Sequence, residues 1–234
     1  LHEKEARRQI TDGIDHKAPF AGVPFLLKDL ATGLGGTVTT NGSRFFADMR
    51  YAQDTEIVSR YKRAGLVILG KTATPELGLS VTTESVLHGA TRNPWNLQRI
   101  AGGSSGGAAA AVAARILPIA HATDGGGSIR TPASCCGLFG MKPTRARTPL
   151  GPLRFEGWSG LSVMHAVSIS VRDSAALLDA TAGPETGAPY AAPAHGSFLA
   201  ATRGRPKRLR IALMRKPHNG GEVDRECLAA VERG

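Results

Sequence analysis

The apolar residues of the chain fall into short continuous runs and into sets with helical spacing. The run AGVPFLLKD, residues 21–29, is apolar until its two charged residues, which predicts a buried strand that ends at Lys28. Over residues 54–65 the apolar positions recur with helical spacing, and the run LVILG, residues 66–70, predicts the next strand. A helix followed closely by a buried strand indicates an α/β fold whose sheet is covered on both faces.

The middle of the chain contains two glycine-rich loops. The first loop, GGSSGG at residues 102–107, leads into an alanine-rich stretch up to Ala114. Because alanine is the best helix former, this stretch predicts a closely packed helix. Residues 117–121 predict a strand, and the second loop, DGGGS, follows at residues 124–128. The two glycine loops therefore flank one helix and one strand.

The last third of the chain has a weaker pattern. Prolines and glycines beyond Lys142 predict irregular backbone, and a helical pattern resumes at residues 172–182. Residues 183–208 are rich in Ala, Pro, Gly and Thr, which predicts a surface connection. Residues 209–214 then predict a strand, and residues 223–231 predict the start of a helix.

Composition and charge exclude several classes of protein. Hydrophobic residues make up 41% of the 234 residues and charged residues 21%, which is typical of a globular protein, and we expect one domain over residues 1–234. No apolar run reaches the roughly 18 residues of a membrane span. The net charge of +10 favours anionic partners, but the basic cluster within residues 203–210 has no interleaved aromatic residue. We interpret it as a solvated linker and expect no nucleic-acid or membrane partner.

The cysteines and histidines do not indicate a cross-linked or metal-binding protein. Two of the three cysteines, Cys135 and Cys136, are adjacent, which disfavours a disulfide framework, and we interpret both as packed in the core. Free thiols are typical of a reducing compartment, and no signal-peptide pattern opens the sequence, so we expect a cytoplasmic location. No histidine has metal-ligand spacing, and we expect ordinary hydrogen-bonded histidines and no metal.

The end of the first predicted strand and the glycine loops contain candidate catalytic residues. Amide hydrolysis needs an activated nucleophile, a proton donor for the leaving amine and donors for the developing oxyanion. A lysine such as Lys28, at the end of an apolar strand, can be kept neutral by burial and so act as a base. Backbone N–H groups of DGGGS, residues 124–128, can converge on an anion. A plain tight turn remains an alternative, whereas neither loop has the Lys-Ser/Thr pair or the GxGxxG spacing of a phosphate site.

Three segments, in order, resemble the amidase signature family. Residues 102–144, GGSSGGAAAAVAARILPIAHATDGGGSIRTPASCCGLFGMKPT, resemble its signature block. FAGVPFLLKDL, residues 20–30, resembles its lysine segment, and GKTATPELG, residues 70–78, resembles the connector between them. Together with VTTES at residues 81–85 and GATRNPWNL at residues 89–97, these segments look most like the branch that includes a hydrolase of cyclic nylon-oligomer dimers.

The resemblance implies a catalytic triad. It places the nucleophile on Ser128, the bridging serine on Ser104 after a cis Gly103–Ser104 peptide bond, and the acid/base on Lys28. The implied roles of other loop residues are as follows: oxyanion donors at Gly125, Gly126, Gly127 and Ser128, bracing residues at Asp124 and Arg130, and an accessory serine at Ser105. Gly125 stands where the family usually has a larger residue, from which we expect a more flexible oxyanion loop.

The resemblance also implies the fold and the function. The expected fold is an α/β/α sandwich around a mixed β-sheet, of which this chain would be an incomplete fragment lacking N-terminal helices and the C-terminal half. The expected reaction is hydrolysis of a small carboxylic amide to a carboxylate and ammonia or an amine, without metal or cofactor, and a homodimer is compatible with it. The alternatives are the glutaminase subunit of a tRNA-dependent amidotransferase and a truncated, non-catalytic remnant.

Overall fold

A computed structural model describes residues 2–192, 194–205 and 208–233 of the chain. Residues up to Thr202 form one compact unit, and residues from Arg203 form a second. The helices of the described residues are α1 (Glu3–Thr11), α2 (Glu56–Arg63), α3 (Gly106–Ala113), α4 (Arg130–Cys136), α5 (Val171–Thr181), α6 (Phe198–Ala201) and α7 (Arg225–Arg233). The strands are β1 (Pro24–Lys28), β2 (Val67–Thr72), β3 (Glu84–Ser85), β4 (Gly89–Ala90), β5 (Arg92–Asn93), β6 (Asn96–Ile100), β7 (Ile119–Asp124), β8 (Phe139–Gly140) and β9 (Val163–Ser168).

The central strands combine parallel and antiparallel pairing. β1 and β2 are parallel, with Pro24 opposite Val67 and Lys28 opposite Thr72. β9 lies between β7 and β8 and is antiparallel to both. β1 lies against β7, so that the parallel pair adjoins the antiparallel strands. This arrangement confirms the predicted mixed α/β architecture.

Two apolar cores flank these strands, and the helix sequences explain them. In α2 the side chains of Ile57, Val58 and Tyr61 are buried, and the Tyr61 ring packs 4.7 Å from that of Phe25 in β1. In α3 the side chains are small, which lets this helix approach β7 closely and form the second core. Helices on both sides of the strands confirm the sandwich, and no described helix is long and apolar enough to cross a membrane.

The predicted elements around the first core are present with small shifts, but other elements were missed. β1 begins three residues later than predicted, and β2 ends two residues later than predicted. β7 begins two residues later and ends three residues later. β9 was not predicted at all, although all six of its residues are buried. Its sequence, VMHAVS, includes two polar residues and follows a glycine-rich stretch, so neither alternation nor a continuous apolar run marks it. The helix α1 and the short hairpins β3–β4 and β5–β6 were also missed.

The predicted surface connection contains one helical turn. Residues 183–192 have no helix or strand, and α6 follows, held by Asp179 of α5. The Asp179 carboxylate accepts hydrogen bonds from the Ser197 hydroxyl at 2.7 Å and from the Phe198 N–H at 2.6 Å. Pro193, Pro206 and Lys207 of the predicted connection lie outside the described residues.

The strand predicted at residues 209–214 is wrong. These residues have no regular structure, and Leu209, Ile211 and Met214 are exposed. A strand requires a neighbouring backbone to pair with, and the only regular element in the described part of this unit is the helix α7. α7 itself matches the helix predicted from residue 223, beginning two residues later.

Candidate active site

Lys28 is the last residue of β1, and its side chain is completely buried. The Lys28 Nζ atom donates hydrogen bonds to Ser104 Oγ at 2.7 Å and to Thr123 Oγ1 at 2.8 Å. Burial removes hydration from the ammonium and lowers the pKa of Lys28 to about 7, although the nearby Asp124 carboxylate opposes this shift. The neutral amine and the ammonium are therefore both populated near neutral pH.

The backbone of Lys28 is also held by a side chain. Its N–H donates to Nδ1 of His121 in β7 at 3.1 Å. His121 is completely buried, and burial lowers its pKa to about 3, so the ring is neutral and Nδ1 can accept. His121 and Thr123 are two residues apart on one strand and therefore face the same side, towards Lys28. Both contacts were missed from the sequence, although period-2 spacing along residues 119–124 is the signal that could have identified them.

Ser104 lies in the first glycine loop, where several segments approach closely. The Gly103–Ser104 peptide bond is cis, as the family resemblance implied. Ser104 is almost fully buried, and its carbonyl accepts a hydrogen bond from the Thr74 hydroxyl at 3.0 Å. A Cβ atom at Gly103 would lie 2.7 Å from the Ser80 carbonyl oxygen, so only glycine fits beside that segment.

Ser105 holds Thr123 in place. Its hydroxyl accepts from the Thr123 N–H and donates to the Thr123 carbonyl, each at 3.3 Å. Because Thr123 Oγ1 is one of the two partners of Lys28 Nζ, this pair of bonds positions the lysine indirectly. The accessory role expected for Ser105 stays a prediction, and these hydrogen bonds show how it could act on Lys28 without touching a substrate.

Asp124 and Arg130 brace the second glycine loop. The Asp124 carboxylate accepts two hydrogen bonds from the Arg130 guanidinium, both at 2.9 Å, and others from the N–H groups of Gly127 at 2.8 Å and Ile129 at 3.2 Å. Burial alone would raise the pKa of Asp124, but these hydrogen bonds outweigh it and lower the pKa below its ordinary value. Asp124 is therefore an anion that ties the loop to the start of α4.

Replacing Asp124 by Asn is expected to loosen this loop. The amide cannot accept from Arg130 and the loop N–H groups as a carboxylate does, so we expect a loss of about 1–3 kcal/mol in the free energy of unfolding and a lower kcat. Urea denaturation and a steady-state amide assay measure the two effects. Asp12→Asn, which removes an exposed pair with Arg8, is the matched control and should cost less than about 1 kcal/mol. Equal losses in the two variants would contradict the bracing role.

The N–H groups of the second glycine loop are not all available to a ligand. Those of Gly125, Gly126 and Ser128 have no hydrogen-bond partner within the described part of the chain. The Gly127 N–H, in contrast, donates to Asp124 Oδ1. The prediction that Gly127 also donates to an oxyanion is not supported by this arrangement, because its N–H already donates a hydrogen bond to Asp124.

Ser128 and Ser104 line the same cleft, together with Thr123 and Gly125. The cleft opens to solvent, and its empty space is about 560 Å³. Most of the remaining lining is apolar: Leu30, Ala31, Leu77, Leu150, Trp158, Val163 and Met164. Among the described residues that line the cleft, Arg154 is the one with a charged side chain. Such a cleft suits an uncharged, largely apolar molecule that presents a polar group to the serines.

Of the predictions for the cysteines and histidines outside this site, one is wrong. Cys136 is buried, and burial together with neighbouring Cys135 raises its pKa to about 11, but Cys135 is exposed and the prediction that it packs in the core is wrong. Its position on α4 turns it away from the core that Cys136 enters. His165 is buried and contacts the Ser174 hydroxyl at 2.7 Å. Among the described residues, no group of three or more His, Cys, Asp or Glu side chains could hold a metal ion.

Comparison with known proteins covers nearly the whole chain. The Amidase family model matches residues 2–233. The 6-aminohexanoate-cyclic-dimer hydrolase of Paenarthrobacter ureafaciens is 45% identical over 218 residues, which are 91% of this chain and 44% of the hydrolase. An acylamidase of Rhodococcus erythropolis is 43% identical over 216 residues, which are 90% of this chain and 44% of the acylamidase.

A solved structure agrees with the sequence matches. The structure of 6-aminohexanoate cyclic dimer hydrolase complexed with substrate has a TM-score of 0.90 and 43% sequence identity, and the match covers 97% of this chain and 48% of that one. The chain thus spans just under half the length of these relatives. From the family match, the identities and the shared fold, we conclude that the chain belongs to the amidase family, whose members are the amidase signature enzymes.

Proposed function

We propose that the chain carries the catalytic residues of an amidase, which hydrolyses a carboxylic amide through an acyl-enzyme on Ser128. The observation that carries the proposal is the 2.7 Å contact between Lys28 Nζ and Ser104 Oγ, because Ser104 lines the same cleft as Ser128. A buried lysine whose pKa is near neutrality is a suitable base for a serine hydroxyl. Membership of the amidase family supports the same reaction.

In the proposed acylation step, the proton of Ser128 moves to Lys28 through Ser104. When Lys28 is neutral, its lone pair accepts the proton of the Ser104 hydroxyl, while one of its own N–H groups still donates a hydrogen bond to Thr123 Oγ1. Ser104 in turn takes the proton of Ser128 as the Ser128 oxygen bonds to the carbonyl carbon. The tetrahedral oxyanion is then stabilised by the unpartnered N–H groups of Gly125, Gly126 and Ser128.

The same relay completes the reaction. The Lys28 ammonium returns its proton through Ser104 to the leaving nitrogen as the C–N bond breaks, which releases ammonia or an amine. Water then attacks the acyl-Ser128 ester and gives its proton to the relay, and collapse of the second intermediate releases the carboxylic acid and restores the Ser128 hydroxyl. No step requires a metal or an organic cofactor.

We further propose that the substrate is a small, largely apolar carboxylic amide and that the protein works in a reducing compartment such as the cytoplasm. The apolar lining of the cleft supports the first statement. The three cysteines, Cys135, Cys136 and Cys227, are all free thiols, which supports the second.

The function is tested by assaying the full-length gene product on a panel of short aliphatic, aromatic and cyclic amides, with detection of both the acid and the released nitrogen. Hydrolysis of several of these amides supports the amidase. Release of ammonia from glutamine only when partner subunits are added would instead support the amidotransferase subunit. Turnover of no amide, together with no acyl-enzyme by mass spectrometry, would support a non-catalytic remnant.

The proposed base predicts the pH dependence of the reaction. Because only the neutral amine accepts a proton, kcat/KM should rise with pH and level off above an apparent pKa of about 7. The rate profile is measured from pH 5.5 to 9 with an amide whose own ionisation lies outside that range, and circular dichroism at each pH verifies that the fold is intact. A kcat/KM that stays constant through this range would contradict Lys28 as the base.

A further inference from the structure

The loop that precedes β9 meets the second glycine loop because of strand pairing. In the antiparallel pair β7–β9, Asp124 lies opposite Val163. Gly125 follows the last residue of β7, and residues 157–162 immediately precede β9, so the two loops emerge side by side at one end of the pair. A contact between residues more than thirty positions apart in sequence is thereby fixed by the sheet.

The loop of residues 157–162 holds Trp158 in a defined position. Trp158 and Ser159 both have left-handed backbone angles, with φ of 51° and 50°. The turn is closed by two backbone hydrogen bonds, from the Ser162 N–H to the Gly157 carbonyl at 3.0 Å and from the Leu161 N–H to the Trp158 carbonyl at 3.1 Å. Two consecutive left-handed residues are uncommon outside glycine, and the two hydrogen bonds hold them in this turn.

The six-membered ring of the Trp158 indole lies over the two glycines that follow Asp124. A Cβ atom at Gly125 would lie 3.1 Å from Trp158 Cε3 and 3.1 Å from Ser162 Oγ, and one at Gly126 would lie 3.7 Å from Trp158 Cζ3. The indole therefore occupies the volume that a larger side chain at position 125 would need. Gly125 and Trp158 therefore fit each other, and the expectation that Gly125 makes the oxyanion loop more flexible stays a prediction.

Trp158 is also next to the proposed chemistry. It lines the same cleft as Ser128 and Gly125, and 56% of its surface is exposed, so part of the indole faces the cleft. A carbonyl carbon bonded to Ser128, with its oxygen on the N–H groups of Gly125 and Gly126, would have its substituents in the space that this ring borders. An unbranched methylene chain needs less of that space than a fully branched carbon does.

We propose that Trp158 is a specificity-determining residue, which restricts the substrates of this cleft to amides whose acyl group is unbranched next to the carbonyl. This inference rests on the proposed function. The test compares two isomeric primary amides, pentanamide and pivalamide, whose acyl groups differ only in branching. The full-length gene product is assayed as wild type, Trp158→Phe and Trp158→Ala.

The expected result is a change in preference rather than a general loss. The wild type should prefer pentanamide, and Trp158→Ala should reduce the ratio of the two kcat/KM values by about 10-fold or more, since one or two methyl groups in a pocket are worth roughly 10–200-fold. Trp158→Phe should be intermediate and guards against a variant that fails to fold. Trp95→Ala, which removes an exposed tryptophan outside the cleft, is the matched control and should leave the ratio unchanged.

A second measurement tests the contact with Gly125. Gly125→Ala should lower kcat in the wild type, because the added methyl meets Trp158, and should lower it at least about threefold less in the Trp158→Ala background. Independent effects of the two substitutions, or an unchanged amide ratio in active Trp158 variants, would overturn the inference while leaving the amidase intact. Wild-type protein that hydrolyses neither amide and is not labelled at Ser128 by a fluorophosphonate would overturn both.

Discussion

Ser128→Ala should lower amide hydrolysis by on the order of 10⁴–10⁶-fold, because it removes the hydroxyl proposed to form the acyl-enzyme. The substitution removes one oxygen atom from a half-buried position, so the free energy of unfolding should change little. Both quantities are measured on the full-length gene product, by amide turnover and by urea denaturation. The residual rate of the variant then reports what the oxyanion donors and substrate binding contribute alone.

Covalent labelling separates loss of the nucleophile from loss of the fold. A fluorophosphonate probe should label the wild type at Ser128 and should not label Ser128→Ala, with the site identified by peptide mass spectrometry. Ser80→Ala removes an exposed hydroxyl outside the cleft and should be labelled like the wild type. Unchanged turnover in Ser128→Ala, or a label on another serine, would contradict the assignment of the nucleophile.

Lys28→Met should lower kcat/KM by roughly 10²–10⁴-fold, the usual contribution of a general acid/base. Methionine keeps an unbranched chain of similar length in the fully buried site but cannot accept or return a proton. The loss should affect both acylation and deacylation, so pre-steady-state kinetics should show no accumulation of acyl-enzyme in the variant. A smaller loss at high pH is expected, since hydroxide partly replaces the base.

The same substitution should change how stability depends on pH. The pKa of Lys28 is about 7 in the folded chain and about 10.5 when exposed, so between these values the unfolded chain binds one more proton. Stability therefore rises with pH across this window by up to about 1.4 kcal/mol per pH unit in the wild type, and Lys28→Met should lack that increment. The half-buried Lys71, whose pKa is lowered to about 8, contributes a similar slope to both proteins and cancels in the difference. Parallel curves for the two proteins would contradict a neutral, buried Lys28.

The elements that could be predicted are those whose signal lies within one short segment. The strand ending at Lys28, the helix α2 and the alanine-rich α3 each carry their own pattern of burial or propensity, and the structure confirms them. β9 is buried through its neighbours β7 and β8, and no local pattern records that pairing. The strand predicted at residues 209–214 fails for the converse reason, because an apolar run specifies a strand only when a partner is present.

The residues of the candidate site likewise include some that the sequence indicates and some that it does not. Lys28, Ser104 and Ser128 belong to motifs that could be recognised in the sequence. The structure places Ser104 and Ser128 in the lining of one cleft, and Lys28 against Ser104. His121 and Thr123 reach Lys28 from β7, which lies against β1, and Trp158 reaches Gly125 through the pairing of β7 with β9. These contacts join residues far apart in sequence, so no motif identifies them. The hydrogen bond from the Gly127 N–H to Asp124 depends on the conformation of the loop. Because glycine adopts many backbone conformations, the sequence does not predict which one the loop takes.

The hydrogen bond from the Lys28 N–H to His121 makes the contact between β1 and β7 sensitive to acid. Where a backbone carbonyl would accept this hydrogen bond at any pH, the acceptor here is an imidazole nitrogen, and protonation turns it into a donor. The folded chain keeps the pKa of His121 at about 3, so stability is lost as the pH falls below the ordinary histidine value of 6.5. Acid therefore weakens the contact between β1 and β7 that aligns the proposed base, and the buried His165 of β9, whose pKa is lowered to about 4, adds to the same loss of stability.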